Sequence, residues 1–502
     1  MAAPFSDPLS WGVPKQGNGL YRGLRAVIRG ALRAFYRTVE VTGRENIGIG
    51  ATGSSGKPTI LASTHPNSIV DPLLLGILEE RPVTFCARDG LFKIPVFGAL
   101  LRKVGAIPIS RPEDNKGKAK GGDAKDDRGE PGPGPEGVGE VRAGGDNAKA
   151  FAAAREVLRG GGVISIFPEG KTHDNLRVHR LRTGAARMAL DAEAHNDWKL
   201  GVGIVPVALN YLVRQAFRSD VHVAFGPAIQ MADLRGRYEE DPRGAARELT
   251  DRIEAALREL AVHVEQVEDE RIIAQVTSII VDIRREAGLD VGGQSPAERT
   301  ALVRRIVDAY RWIQEVEPDK TAELRRRLQR FLEERSELGL GGTSAALQHR
   351  TEAQKSQFTA RRKFLVLGFP VALWGLAGSL APYLVLRGVL ALAPVRKDRM
   401  ALTKLLVGAA SFLGCWGVQT VMVSLTIGPW WGIVYAATLA PGALVALRWV
   451  TEVRLHRLGR GGIRALLRHS DRVAALQNER EALKKELAVL RDRYLGEVGT
   501  GG

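Results

Sequence analysis

Apolar and polar positions change their period several times along the chain. Residues 20–38, LYRGLRAVIRGALRAFYRT, set Leu, Val, Ile and Ala against Arg22, Arg25, Arg29, Arg33 and Arg37 at helical spacing. That amphipathic helix either packs on a neighbouring domain or lies on an anionic membrane surface. From 39 to about 230, short β-type runs alternate with helical ones. PTILASTH, GVISIFPEG and GIVPVALNY read as strands, the first two passing into loops, and DPLLLGILEE and NAKAFAAAREVLRGG as helices. The alternation predicts an α/β domain with a mixed sheet flanked by helices.

Residues 113–146 interrupt this pattern with Gly, Pro and mixed charge and almost no large apolar side chain. Such a segment buries too little to offset its ordering entropy, so a disordered insertion is expected. From 240 to 360 the chain is highly charged, with helices expected near 243–266, 268–287, 296–315 and 317–336.

The pattern then loses its polar half. Phe364 to Leu386 carries no charge, and neither does Leu405 to Leu447. The second run is about twice the roughly 20 residues that cross a bilayer, and TIGPWWG breaks it in the middle. Two spanning helices are expected over 405–447. Residues 364–394, flanked on both sides by Arg and Lys and interrupted by Pro370 and Pro382, read as a hairpin or a span. After Arg448 the chain is basic again, and Leu476, Leu483 and Leu490 recur seven apart. This supports either a short coiled coil, hence a homo-oligomer, or a helix packing on its own chain.

The expected organisation is an N-terminal amphipathic segment (1–45), an α/β domain (46–232), a charged helical region (233–360), a membrane region (361–450) and a C-terminal basic helix (451–502).

At 502 residues and 44% apolar, the chain is long enough for two or three domains with real cores. Its net charge of +16 suits anionic lipid or phosphorylated molecules. The arginines are spread out rather than interleaved with aromatics, which argues against nucleic acid. Cys86 and Cys415 are too few for a disulfide or metal framework and suit a reducing compartment. The N-terminus lacks the basic-then-apolar order of a secretory signal.

The candidate chemistry begins in STHPNSIVDPLLL, residues 63–75. His65 and Asp71 each precede a proline. Pro66 pushes His65 to an extended backbone, and Pro72 suits a helix start that Asp71 would cap. A strand end, a turn and a helix start can bring the two together, with imidazole as general base and carboxylate fixing its tautomer. RDGLFKIPVFGALLRKVGAIPISR (88–111), ISIFPEGKTHD and GIVPVALNY follow in order.

These four ordered stretches, over residues 58–212, resemble the glycerophospholipid acyltransferase family. The resemblance implies transfer of a fatty acyl group from acyl-CoA, or from an acyl carrier protein thioester, to a glycerol hydroxyl. It makes His65 the base, Asp71 its partner, Arg111 a ligand for the acceptor phosphate, and Glu169 and Gly170 parts of the acceptor pocket. Glu169 would bind a glycerol hydroxyl or fix the loop. No metal or redox cofactor is implied. The chain departs from the common pattern twice. Five residues rather than four separate His65 from Asp71, and Lys171, Thr172 and His173 follow Gly170 where Thr-Arg is usual. Both departures resemble the fungal-type branch that acylates glycerol 3-phosphate or dihydroxyacetone phosphate. Glycerol 3-phosphate is therefore the expected acceptor and lysophosphatidate the alternative, with Lys171 and His173 as candidate phosphate donors. Backbone N–H groups around Asp71–Leu73 are the expected oxyanion donors. An integral membrane protein with its catalytic domain on the cytosolic face follows, with acyl-CoA, the acceptor and membrane lipid as partners. A catalytically inactive membrane scaffold is the reading of another class.

Overall fold

The structure, a computed structural model, describes residues 19–47, 56–79, 81–94, 97–110, 145–173, 175–211, 219–286, 294–338, 364–392, 400–468 and 470–498. Arg111 and residues 113–144 of the expected insertion lie outside them. The chain divides into two units, one of Met1–Val264 with Ser295–Thr300, the other of Glu265–Gln294 with Ala301–Gly502.

The first unit is built on seven strands: β1 (Tyr36–Thr42), β2 (Thr59–Ser63), β3 (Val83–Arg88), β4 (Ile107–Ile109), β5 (Val163–Ile166), β6 (Gly203–Tyr211) and β7 (Ser219–Phe225). They lie in the order β1-β7-β6-β2-β5-β3-β4. Every pairing is parallel except β6 with β7. The sheet is thus mixed, and its central strands are buried on both faces, as crossover helices require. Period-two alternation sorts their side chains. Leu61, Val163, Val205 and Val207 face α1 (Gly19–Phe35) and α2 (Val70–Leu78). Ile60, Ala62, Ile164 and Ile204 face α3 (Gly145–Arg159), α4 (Gly184–Ala194) and α5 (Pro242–Leu260).

Two expected boundaries move. The described part of the segment 1–45, residues 19–45, is not separate from the domain, because Leu32 of α1 and Tyr36 and Val39 of β1 are part of its core and β1 pairs with β7. Helix α5, expected in the charged region, also belongs to the domain. Its Ala245, Ala246, Leu249, Ile253 and Leu257 are buried in the core on the α3 and α4 side. Arg25, at 4% exposure, does not join a surface-basic face. Its Nη2 donates to Ile77 O at 3.0 Å, in the last turn of α2, where the helix leaves carbonyls without partners. Arg22 and Arg33 are exposed.

The second unit is helical: α6 (Asp269–Glu286), α7 (Pro296–Val316, whose first turn counts with the first unit), α8 (Pro318–Glu337), α9 (Phe369–Leu392), α10 (Met400–Thr426), α11 (Pro429–Arg468) and α12 (Ser470–Val498). The leucine stripe of α12 is used within the chain. Leu476, Leu483 and Leu490 are buried, and Arg327 of α8 donates to Glu479 (2.9 Å) and Glu486 (2.7 Å) of α12. The expectation of a homo-oligomer through this stripe therefore loses its basis: its apolar face is already covered.

Phe369–Leu392 is one continuous helix, which decides against the hairpin for 364–394. Pro382 lacks the N–H that would bond Gly378 O. Trp416 Nε1 (3.1 Å) and Gln419 Nε2 (3.4 Å) donate to that carbonyl instead. Gly375 of α9 lies against Gly442 of α11, so closely that a Cβ on Gly375 would fall 1.9 Å from Gly442 O. The run 405–447 breaks at Gly428 into α10 and α11. Among the described residues, two helical stretches are long and apolar enough to cross a membrane, Phe369–Val389 and Pro429–Val453, and Ala410–Thr426 is a shorter apolar stretch.

Candidate active site

The site forms where β2, β5 and β6 end. These three neighbours run parallel to one another, so their carboxyl ends lie together, the usual location of a ligand crevice in an α/β sheet. Thr64 continues the sheet past β2, its N–H donating to Val207 O at 3.0 Å and its Oγ1 accepting from Leu209 N at 3.0 Å. His65 follows at the rim.

A turn then carries the chain into α2. Val70 N donates to Asn67 O and Asp71 N to Ser68 O, and Ser68 has φ 47°. The five residues between His65 and Asp71 thus fit with one residue in the left-handed region, which a non-glycine side chain adopts at some cost. Asp71 sits in the first helical turn but does not cap it; the N-cap is Ile69 without a side-chain bond. Its carboxylate turns back into the loop. Oδ2 accepts from His65 Nδ1 at 2.9 Å and from Asn67 N at 2.8 Å, and Oδ1 accepts from Tyr211 OH at 2.6 Å. Asp71 is wholly buried, while 18% of the His65 side chain is exposed. The carboxylate holds the proton on Nδ1, leaving Nε2 as the basic nitrogen. Burial and the Asp71 charge push the Tyr211 phenol well above its ordinary range, so it stays protonated and donates.

The turn after β5 closes the other side. Phe167 stacks on the His65 ring, centroids 4.1 Å apart. Glu169, 8% exposed, accepts from His65 N at 3.3 Å, so this carboxylate fixes the loop that bears His65. Gly170 has φ 73°, which favours glycine, and a Cβ there would lie 2.7 Å from Arg182 Nε, so the Arg182 side chain would have to shift. The structure therefore brings His65, Asp71, Glu169 and Gly170 together. Lys171 is exposed beside them. His173 stacks on His179 at 3.5 Å. Burial, with His179, Lys171 and His65 nearby, pushes His173 down to about 4, so it is neutral near pH 7. The amides expected as oxyanion donors are engaged within the helix start: Asp71 N with Ser68 O (3.3 Å) and Leu73 N with Ile69 O (3.4 Å). Desolvation pushes the Cys86 thiol up to about 12, which removes it as a thiolate nucleophile. Among the described residues, no group of three or more His, Cys, Asp or Glu is arranged to hold a metal ion.

Tyr211, Tyr36 and Asn67 carry no signal in their spacing. Tyr211 ends the Val-Pro strand as His65 follows the end of β2, and that shared position is the one clue in the sequence that points to it.

Residues 38–210 match the Acyltransferase family model. The α/β domain thus carries the Acyltransferase family pattern over these residues. Glycerol-3-phosphate O-acyltransferase 1 of Saccharomyces cerevisiae is 28% identical over 45% of this chain and 37% of its own. Glycerol-3-phosphate O-acyltransferase 2 of the same yeast is 34% identical over 22% of this chain and 15% of its own. The chain thus spans well under half the length of these relatives. The crystal structure of the 1-acyl-sn-glycerophosphate (LPA) acyltransferase PlsC from Thermotoga maritima matches at 19% identity, covering 46% of this chain and 79% of that one, with a TM-score of 0.28, too low to bear on the fold.

Proposed function

We propose that this protein is a membrane-bound O-acyltransferase that moves a fatty acyl group from acyl-CoA to the sn-1 hydroxyl of glycerol 3-phosphate. The observation that carries the reading is the His65–Asp71 pair, with Asp71 buried and Nε2 of His65 left as the base at the rim of the acyltransferase domain. The acceptor is supported by the names of the two yeast relatives and by the five-residue spacing.

The chemistry follows from the pair. His65 Nε2 takes the proton of the acceptor hydroxyl as its oxygen attacks the thioester carbonyl, and Asp71 stabilises the imidazolium that forms. Collapse of the tetrahedral intermediate breaks the C–S bond. The leaving thiol is acidic enough to depart as thiolate, and it recovers the proton from His65. The thioester already carries an activated acyl group, so proton transfer and charge stabilisation suffice, with no metal or redox group. Lys171, which stands exposed beside the Glu169–Gly170 turn, and Arg111 are the cations assigned to the acceptor phosphate. The apolar surfaces of α9 and α11 attach the protein to the bilayer that receives the product, with the catalytic domain on the cytosolic face where the thioester is available.

The test is detergent-solubilised full-length protein with labelled acyl-CoA, offered glycerol 3-phosphate, dihydroxyacetone phosphate and lysophosphatidate in parallel. Label entering a one-chain product from glycerol 3-phosphate, and lost in His65→Ala, is expected. Transfer to lysophosphatidate alone would change the acceptor. No His65-dependent transfer, with acyl carrier protein donors also tried, would leave a scaffold.

A further inference from the structure

Asp71 accepts three hydrogen bonds, and only one comes from the base. The other two come from groups to which the resemblance assigns no role. Tyr211 OH occupies Oδ1 at 2.6 Å, and Asn67 N shares Oδ2 with His65 Nδ1. Tyr211 is the last residue of β6, its register set by antiparallel pairing with Val221, and it is 7% exposed. Its ring lies 5.9 Å from that of Tyr36, the first residue of β1, which is 2% exposed. Asn67 Nδ2 donates to Tyr36 OH at 3.1 Å. The contacts close a ring from one Asp71 oxygen through Tyr211, Tyr36 and Asn67 to the other.

We propose that Tyr211 is a positioning residue for acyl transfer, with Tyr36 and Asn67 as its backstop: the clasp locks the Asp71 carboxylate in the rotamer that presents Oδ2 to His65. This rests on the acyltransferase reading. A carboxylate held by the imidazole alone can rotate about its Cβ–Cγ bond and exchange oxygens, and the ring would follow it. With Oδ1 pinned from the sheet and Oδ2 from the turn, the base keeps one orientation before the acceptor arrives. Such preorganisation acts on the step in which the proton moves and leaves substrate binding untouched. Both phenols suit this role. Burial and the Asp71 charge raise each of them, so neither loses its proton in the working range. Tyr36 follows directly on α1, so the clasp also ties the end of that helix to the dyad.

The experiment uses the full chain in detergent with the acyl transfer assay. Tyr211→Phe keeps the buried ring and removes the hydroxyl. It is expected to lower kcat about 10- to 100-fold with both KM values within about twofold; the buried carboxylate also loses a donor, so the thermal midpoint falls, and the split between kcat and KM reads the positioning role. Tyr36→Phe is expected to lower kcat by about threefold, because it acts one contact further away. In a His65→Ala background, Tyr211→Phe should cost nothing more, since the residue it orients is gone. Wild-type kcat in Tyr211→Phe, a loss confined to KM, or the same fold-loss without His65 would each overturn the proposal. A second readout needs no substrate. In ¹⁵N-histidine-labelled protein, with the His65 signals identified by their loss in His65→Gln, wild type should show a single Nδ1–H tautomer and Tyr211→Phe a mixture. Unchanged His65 signals would overturn the clasp even if no acceptor were acylated, whereas a single tautomer lost in Tyr211→Phe with no transfer by wild type would fail only the acyltransferase reading.

Discussion

The acyltransferase domain and the apolar helices α9, α10 and α11 handle polar groups in opposite ways. In the domain, apolar side chains fill both faces of the sheet, and one carboxylate is buried at its edge inside a ring of donors. In the apolar helices the large side chains point outward: Leu425 is 82% exposed and Trp430 70%. Small and polar groups lie between the helices. Gly375 meets Gly442, and Gly378 O is bonded by Trp416 and Gln419, with Tyr435 OH donating to Gln419 at 3.2 Å. A core that excludes water gains from apolar contact, and a few buried polar atoms stand out as functional. Helices surrounded by hydrocarbon gain nothing from burying leucine, so close backbone approach and interhelical hydrogen bonds hold them together. The second pattern is the one that the proposed membrane attachment requires of α9, α10 and α11.

The comparison breaks most sharply at His65, the proposed base. His65→Ala should lower kcat by about 10²- to 10⁴-fold, read as label transfer, with little change in thermal midpoint because the ring lies at the rim. In the apolar helices, Gly375→Leu has no room, since even its Cβ overlaps the Gly442 carbonyl. It should cost about 3 kcal/mol or more, seen as a lower thermal midpoint in detergent.

A third test concerns Asp220, 3% exposed on β7. It accepts from Arg37 Nε at 2.9 Å, from Arg37 Nη2, and from Arg299 Nη1 at 2.9 Å. Burial disfavours its charge, but the Arg37 hydrogen bond and the charges of Arg37 and Arg299 outweigh it and hold the carboxyl below its ordinary value. Its contribution is therefore full above the unfolded-state value, near 4, and fades as pH falls through the lower folded value. Asp220→Asn should cost about 2 kcal/mol at pH 7 and flatten the acid side of the stability profile, measured by denaturant unfolding at several pH values. The smallest effect is expected at Ser68, with φ 47°. Ser68→Val should destabilise by about 1–2 kcal/mol and Ser68→Gly by less than about 0.5 kcal/mol, by the same unfolding measurement.

Much of the site is legible in the sequence because its residues fall in short stretches at strand ends. His65 and Asp71 sit within one turn, and Glu169 and Gly170 within another. The rest depends on contacts between distant parts of the chain. Asp71 looks like a helix cap because its neighbours suit one, yet Tyr211, 140 positions away, takes its oxygen. Arg25 looks like part of a basic surface by spacing, yet Ile77 lies against it. The leucines of α12 read equally as a coiled coil or a packed helix, because a heptad stripe records an apolar face without its partner.

What the amino-acid order determined by itself is what periodicity and local turn chemistry encode: the alternation of strands and helices, the uncharged runs, and the His–Asp and Phe-Pro-Glu-Gly turns. The tertiary structure decided which face meets which. It placed α1, β1 and α5 in the catalytic domain, closed Tyr36, Tyr211 and Asn67 around Asp71, and covered the carbonyl that Pro382 leaves open. Each of these depends on the packing of residues remote in sequence, where hydrogen-bond geometry, and not residue type, selects the partner.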